Sequence, residues 1–278
     1  MSAAAGARTQ RPSVIGTDAR RFWNLTWTLA ATDFKLRFYG SVLGYVWTLA
    51  RPFMFFGVIY VVFTQIVGLD ASVKNYGVYI LFALVLFTFF GEAVGSCVNC
   101  LVTRENLLRK MRFPRLVIPL SVVVTALMNL VMTLIAVVIF ALISGITPTW
   151  SWLELPVLIA LVALLATGLG LLLSALFVRY RDVQPIWDVV SQMLFYASPV
   201  LYVTTLVPED YQQAYMMSPL AAVLSQMRHA IVDTGAPSAA ALAGGAAWLL
   251  VPAGIVLGLF ALGLWVFSRE APKIAENL

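Results

Sequence analysis

Residues 116–145 read LVIPLSVVVTALMNLVMTLIAVVIFALISG, thirty consecutive positions without a charged side chain. At 1.5 Å per residue a helix of that length reaches about 45 Å, more than the roughly 30 Å of a bilayer's hydrocarbon. The rest of the chain supplies no polar shell that could hide such a helix in water. Of 278 residues, 61% are apolar and 11% are charged, and the mean hydropathy is +0.90. Soluble domains carry about 45–50% apolar and about 25% charged residues. These figures exclude a soluble enzyme, a disordered chain and a disulfide scaffold. A membrane barrel would alternate polar and apolar over segments of about ten residues. Continuous apolar runs instead demand helices, which satisfy every backbone group internally. The predicted fold class is an all-α integral membrane protein.

Working outward, five further runs of similar character lie at about 43–67, 77–102, 153–178, 184–203 and 246–267, the fifth span (184–203) being the shortest. Six crossings put both termini on one side. Lysine and arginine decide which side. Arg8, Arg11, Arg20, Arg21, Lys35 and Arg37 precede the first run. Arg104, Arg109, Lys110, Arg112 and Arg115 follow the second, Arg179 and Arg181 follow the fourth, and Arg269 and Lys273 follow the last. Together they are 15 of the 18 basic residues. Both termini and the basic loops are therefore expected in the cytoplasm. The domain reading is a cytoplasmic N-terminal segment over 1–42, a six-helix membrane domain over 43–267 and a cytoplasmic tail over 268–278. Orientation accounts for the net charge of +5, so no nucleic-acid partner is inferred.

The chain carries no Gly-x-x-x-x-Gly-Lys-Ser/Thr loop and so binds no ATP that way. It also lacks His-Glu-x-x-His and Gly-x-Ser-x-Gly. Cys97 and Cys100 share an apolar run with no second cysteine pair or histidine nearby. They read as small core residues, and His229 reads as structural. No catalytic residue and no metal site are expected. The first 42 residues hold six basic side chains and no unbroken apolar core, so no signal peptide is expected.

Several segments are not simple spans. Residues 19–39 place Trp23, Trp27, Phe34 and Phe38 on one stripe and Phe22, Leu25, Leu29 and Leu36 on another. Asp33, Lys35 and Arg37 argue against a crossing, so an amphipathic helix in the cytoplasmic interface is predicted, in contact with membrane lipids. Residues 104–115, RENLLRKMRFPR, form a short amphipathic helix that Pro114 terminates. Its apolar Leu107, Leu108 and Met111, ringed by Glu105, Arg109 and Arg112, suit a groove on a cytoplasmic protein. Arg179-Tyr-Arg-Asp182 offers a second cytoplasmic contact through Arg179, Arg181 and Asp182. The outer region 196–235 is irregular, with Ser198, Pro199 and Pro219 interrupting its helices. Irregular backbone at membrane depth survives only against protein or a water-filled cavity, so this region is expected to border a pore mouth.

Asp33-Phe-Lys-Leu-Arg37, Gly40-Ser-Val-Leu-Gly-Tyr-Val-Trp47 with Pro52, Glu105-Asn-Leu-Leu-Arg-Lys-Met-Arg-Phe-Pro114, Arg179-Tyr-Arg-Asp182 and Ser198-Pro-Val-Leu-Tyr202 with Ser218-Pro219 recur in one order around the spans. Over about residues 20–270 the chain resembles the membrane subunit of an ABC-2 type exporter, in the branch that exports lipid-linked polysaccharides. The resemblance implies a homodimer in the bacterial cytoplasmic membrane, paired with two copies of a separate nucleotide-binding ATPase. That partner would bind ATP and Mg; this chain needs no cofactor. It implies that 104–115 is a coupling helix and that the 196–233 region forms outer gate helices. O-antigen, teichoic acid and galactan all stay open as the glycan. A permease of the same fold for a small drug or lipid is the alternative, and a channel or assembly factor without an ATPase is a third.

Two expectations come from side-chain chemistry. Sugars stack their C–H faces on rings, so Trp47, Phe53, Phe56 and Tyr60 in the first span, with Tyr196 and Tyr202 in the fifth, are candidate conduit residues at the dimer centre. Arg51 and Glu92 lie inside consecutive antiparallel spans at matching depth, and each alone is costly in lipid. They are expected to pair.

Overall fold

The computed structural model describes residues 19–37, 42–66, 68, 73–110 and 114–277, and every regular element among them is helical. In chain order these are α1 (Ala19–Arg37), α2 (Val42–Val61), α3 (Tyr76–Val98), α4 (Cys100–Thr103), α5 (Glu105–Lys110), α6 (Val117–Ile143), α7 (Glu154–Arg179), α8 (Val183–Ala197), α9 (Glu209–Tyr215), α10 (Pro219–Met227), α11 (Ala239–Leu242) and α12 (Leu250–Asn277). A π turn over Val62–Ile66 extends α2, and another over Arg228–Val232 extends α10.

α3 is the central post. Apart from Thr88, Glu92 and Ser96 it is apolar, which suits a helix largely enclosed by others. Most of its span is buried, 78%, against 11% for the span Val46–Ile66 built on α2. α6 and α7 flank it, and α12 packs along α7. That last contact is close because glycines allow it: a Cβ at Gly168 would lie 2.7 Å from the Phe260 backbone, and one at Gly263 would strike the Gly168 carbonyl. Small residues let membrane helices approach this way. α6 ends where Gly145 takes φ 84°, and the Ile146 amide reaches back to the Ala141 carbonyl at 3.1 Å. Only glycine adopts that backbone at little cost.

α1 lies along α6 with Phe22, Thr26 and Ala30 turned inward, one side chain per turn. The Thr125 hydroxyl donates to the Ala30 carbonyl at 3.3 Å. Trp23, Trp27 and Leu36 stay exposed. Cys97 and Cys100 are buried and unpaired, with the Cys97 thiol 3.6 Å from the Pro119 carbonyl.

Five helices are long and apolar enough to cross a membrane: Val46–Ile66, Tyr76–Val98, Val117–Ile143, Trp150–Arg179 and Ala246–Ala271. The expected sixth, 184–203, is not among them. Its helix, α8, stops at Ala197 after 15 residues, about 22 Å at 1.5 Å per residue. The cause is local. Ser198 precedes Pro199, proline disfavours the helical region for the residue before it, and Ser198 is extended at φ −94°, ψ 153°. The chain continues through turns and a short 3₁₀ segment, Thr204–Leu206.

Candidate functional site

The end of the bundle where α3 begins and α8 ends is a network of tyrosines and carbonyls. Tyr76 and Tyr79, both buried at the start of α3, point into the stretch that follows α8. Tyr76 donates to the Leu201 carbonyl, and Tyr79 to the carbonyls of Pro199 and, at 3.0 Å, Tyr202. The Tyr202 and Tyr215 hydroxyls meet at 2.8 Å, and Tyr215 donates to the Ala197 carbonyl at 2.8 Å. Burial and the Tyr202 bond push the Tyr215 pKa up, so the phenol keeps the proton it donates. Thr204 and Ser225 hydroxyls meet at 2.6 Å, which ties the same stretch to α10. Ser198 and Pro199 are buried within this cap, and Pro219 opens α10 at its first turn.

Beneath the cap, polarity sorts the exposed surface. On α6 the exposed positions inside the span are Val131, Ile135, Ile139, Leu142 and Ile143. On α12, from Leu250 to Trp265, they are likewise apolar or glycine. Such faces suit lipid. The exposed polar side chains sit elsewhere: Arg51 on α2 and Gln65 in the π turn that extends it, Thr88 and Ser96 on α3 with Asn99 at its end, and Asp188 and Gln192 on α8. These three helices adjoin. Ser191 and Trp187 of α8 face Gly91 and Gly95 of α3, and the Tyr60 ring of α2 covers Gly77. Phe55 and Phe195 join α2 to α8, ring centroids 6.5 Å apart. One side of the bundle thus combines water-seeking groups with rings, and α8 buries only Trp187 fully.

The sequence-predicted conduit residues divide over two faces. Trp47 and Tyr196 are exposed, each 60% accessible. Phe56 is buried, with Tyr60 at 5.5 Å and Phe140 of α6 at 5.6 Å. Phe53 meets Phe140 edge-on at 6.3 Å. Phe56 and Phe53 therefore belong to the contact between α2 and α6, which corrects the expectation for Phe56. Tyr60 is half-buried against Phe56 and Gly77, and Tyr202 belongs to the tyrosine cap. Helical period separates the faces: Trp47, Arg51 and Phe55 recur every four residues on the exposed side. Thr88, Ser96, Asp188 and Gln192 were missed, because isolated polar residues in apolar runs carry no motif.

The expected Arg51–Glu92 pair is also corrected. The Glu92 carboxylate accepts from Arg37 at the end of α1 and from the Asn129 amide of α6 at 2.9 Å. Arg51 is exposed. Matching depth along two spans ignored a third supplier, α1 packed along α6. A second ion pair repeats the arrangement: Arg104 binds Asp33 of α1 and donates to the Ser121 hydroxyl at 3.0 Å. Arg104 immediately precedes α5, so one guanidinium joins α1, α6 and the predicted coupling segment. In α5, Glu105 and Leu107 are half-buried. Met111 and Arg112 lie outside the described residues, as do the side chains of Leu108 and Arg109. Arg179, Arg181 and Asp182 are exposed at the turn from α7 to α8.

The profile of the ABC-2 type transporter family matches residues 24–232. The chain belongs to that family. This ABC-2 permease is similar to the O-antigen export system permease protein RfbA of Klebsiella pneumoniae, at 27% identity over 247 residues, covering 88% of this chain and 92% of that protein. It is similar to the protein of the same name from Myxococcus xanthus at 28% over 257 residues, covering 90% and 94%. An ABC-2 permease is a transport membrane subunit and a multi-pass membrane protein. That membership sets aside the alternative of a channel or assembly factor outside the family.

Proposed function

We propose that this permease carries a lipid-linked polysaccharide out across the cytoplasmic membrane, as a homodimer driven by two copies of a separate ATPase. Both termini and α5 face the cytoplasm, and the tyrosine cap lies at the outer side. The observation that carries the reading is the polar, ring-bearing face built from α2, α3 and α8, where α6 within its span and α12 from Leu250 to Trp265 expose only apolar side chains or glycine. Two such faces around a two-fold axis enclose a passage that water and hydroxyls can wet. Rings there hold a sugar weakly at many points, so the chain is easily released. The names of the relatives, both O-antigen export permeases, support a glycan as cargo. The test is glycan export in cells alongside ATPase activity of the purified complex, with Trp47→Ala and Tyr196→Ala. Export should fall at least about tenfold, with ATPase activity retained, for a transition costing about 1.4 kcal/mol more. Normal export of the glycan by both variants would contradict the lining role.

A further inference from the structure

Arg51 and Asp188 are the two charged side chains on the exposed faces of α2 and α8 inside the membrane-facing stretch. Among the described residues Arg51 makes no ion pair, and Asp188 has only a hydrogen bond from the Gln184 amide at 3.1 Å. An uncompensated charge facing lipid is costly and marks a function or a partner. Lipid suits the apolar exposed faces of α6 and α12; it does not suit this one.

The two charges lie at compatible depth. α3 runs antiparallel to α2, with Tyr60 beside Gly77, and antiparallel to α8, with Trp187 and Ser191 beside Gly95 and Gly91. α2 and α8 are therefore parallel to each other. The Phe55–Phe195 contact gives them a common level. Arg51 lies four residues, about 6 Å, before Phe55, and Asp188 seven residues, about 10 Å, before Phe195. Side chains lean toward the N-terminus of their helix, so Arg51 reaches down toward the level of Asp188. A two-fold axis along the membrane normal leaves depth unchanged. Opposite charges, one on each helix of the same open face, are then self-complementary across that axis, as an isologous interface requires.

We propose that Arg51 of one copy pairs with Asp188 of a second copy, and Asp188 of the first with Arg51 of the second. This rests on the homodimer reading above. The two ion pairs set the register of the α2–α8 face near the cytoplasmic end of the passage. They make dimer contacts of two charges that form no ion pair among the described residues of their own chain.

The test uses two differently tagged copies expressed together with the ATPase. Arg51→Asp alone puts two carboxylates at each contact, and Asp188→Arg alone puts two guanidiniums there. Each single variant should lose export at least about tenfold, because like charges in contact repel strongly. In the mixed dimer of the two variants, the introduced carboxylate of one copy faces the introduced guanidinium of the other. The second contact of that dimer keeps the native Arg51 against the native Asp188. Export should return to roughly half, the share of mixed dimers in random assembly of two copies. A pair formed within one copy gives no such rescue, since each copy still holds two like charges. A mixture that stays inactive, or single variants that export normally, would overturn the proposal. If the single variants fail to accumulate, Arg51→Cys in one tagged copy and Asp188→Cys in the other are joined with a short bismaleimide in membranes. A covalent product bearing both tags is expected, and its absence overturns the pair. Co-purification of two tagged wild-type copies is the separate check on the dimer: if it fails, the homodimer reading fails, whatever the variants do.

Discussion

Phe56 and Trp47 belong to the same helix and face opposite environments. Phe56 is enclosed by Tyr60 and Phe140, whereas Trp47 is largely accessible. Phe56→Ala should destabilise the permease by about 3–5 kcal/mol through the cavity it leaves. Trp47→Ala should stay within about 0.5 kcal/mol of the native stability. Thermal unfolding of the detergent-solubilised complex checks both, and the reverse order would refute the assignment of faces. That α2 is crowded with rings is plain from the sequence. Which rings face the bundle is not, because both sides of α2 are aromatic and composition does not distinguish them. The Glu92 partner was hidden for another reason. Arg37 is 55 positions away in sequence, and only the fold of α1 onto α6 brings it there. Arg104 gives a sharper residue-level test, since its guanidinium binds Asp33 and Ser121 together. Lysine offers a point charge without that fork. Arg104→Lys should raise hydrogen exchange over Ala19–Arg37, measured by mass spectrometry; unchanged protection would show that the fork does not hold α1 down.

The long helices were legible at element scale because a charge-free run of such length has few alternatives. α3, α6 and α7 begin and end within a few residues of expectation. α8 was less so: apolar composition continues through Val200 and Leu201, but the Ser198-Pro199 step ends the helix at Ala197. The α7–α12 contact was not legible, since a glycine in a membrane span announces close approach only when its neighbour is known. Gly168→Leu would force α12 away and should cost about 1–3 kcal/mol, the usual range for overpacking. Gly258→Ala, where nothing lies within 4 Å of the added carbon, should be neutral. Equal melting temperatures for the two variants would contradict the packing. α5 is proposed to dock in the ATPase, where a buried apolar contact outweighs a rim charge. Leu108→Asp should abolish export while the complex still folds and the isolated ATPase still hydrolyses ATP. Normal export by that variant would remove α5 from the coupling path.

The molecule as a whole is asymmetric in what it exposes. Three adjoining helices, α2, α3 and α8, present polar groups outward, while α6 within its span and α12 from Leu250 to Trp265 present none. A chain surrounded by lipid on all sides has no use for that difference, and a chain with a wet passage on one side requires it. The direct measurement is the reactivity of single cysteines toward a charged, water-soluble maleimide in the assembled transporter during ATP turnover. Thr88→Cys, Ser96→Cys and Gln192→Cys probe the polar face; Ile135→Cys, Ile139→Cys and Leu262→Cys probe the apolar ones. Rapid labelling of the first three and little of the second three is expected. Equal labelling of both sets, or faster labelling on α6 and α12, would contradict the wet passage.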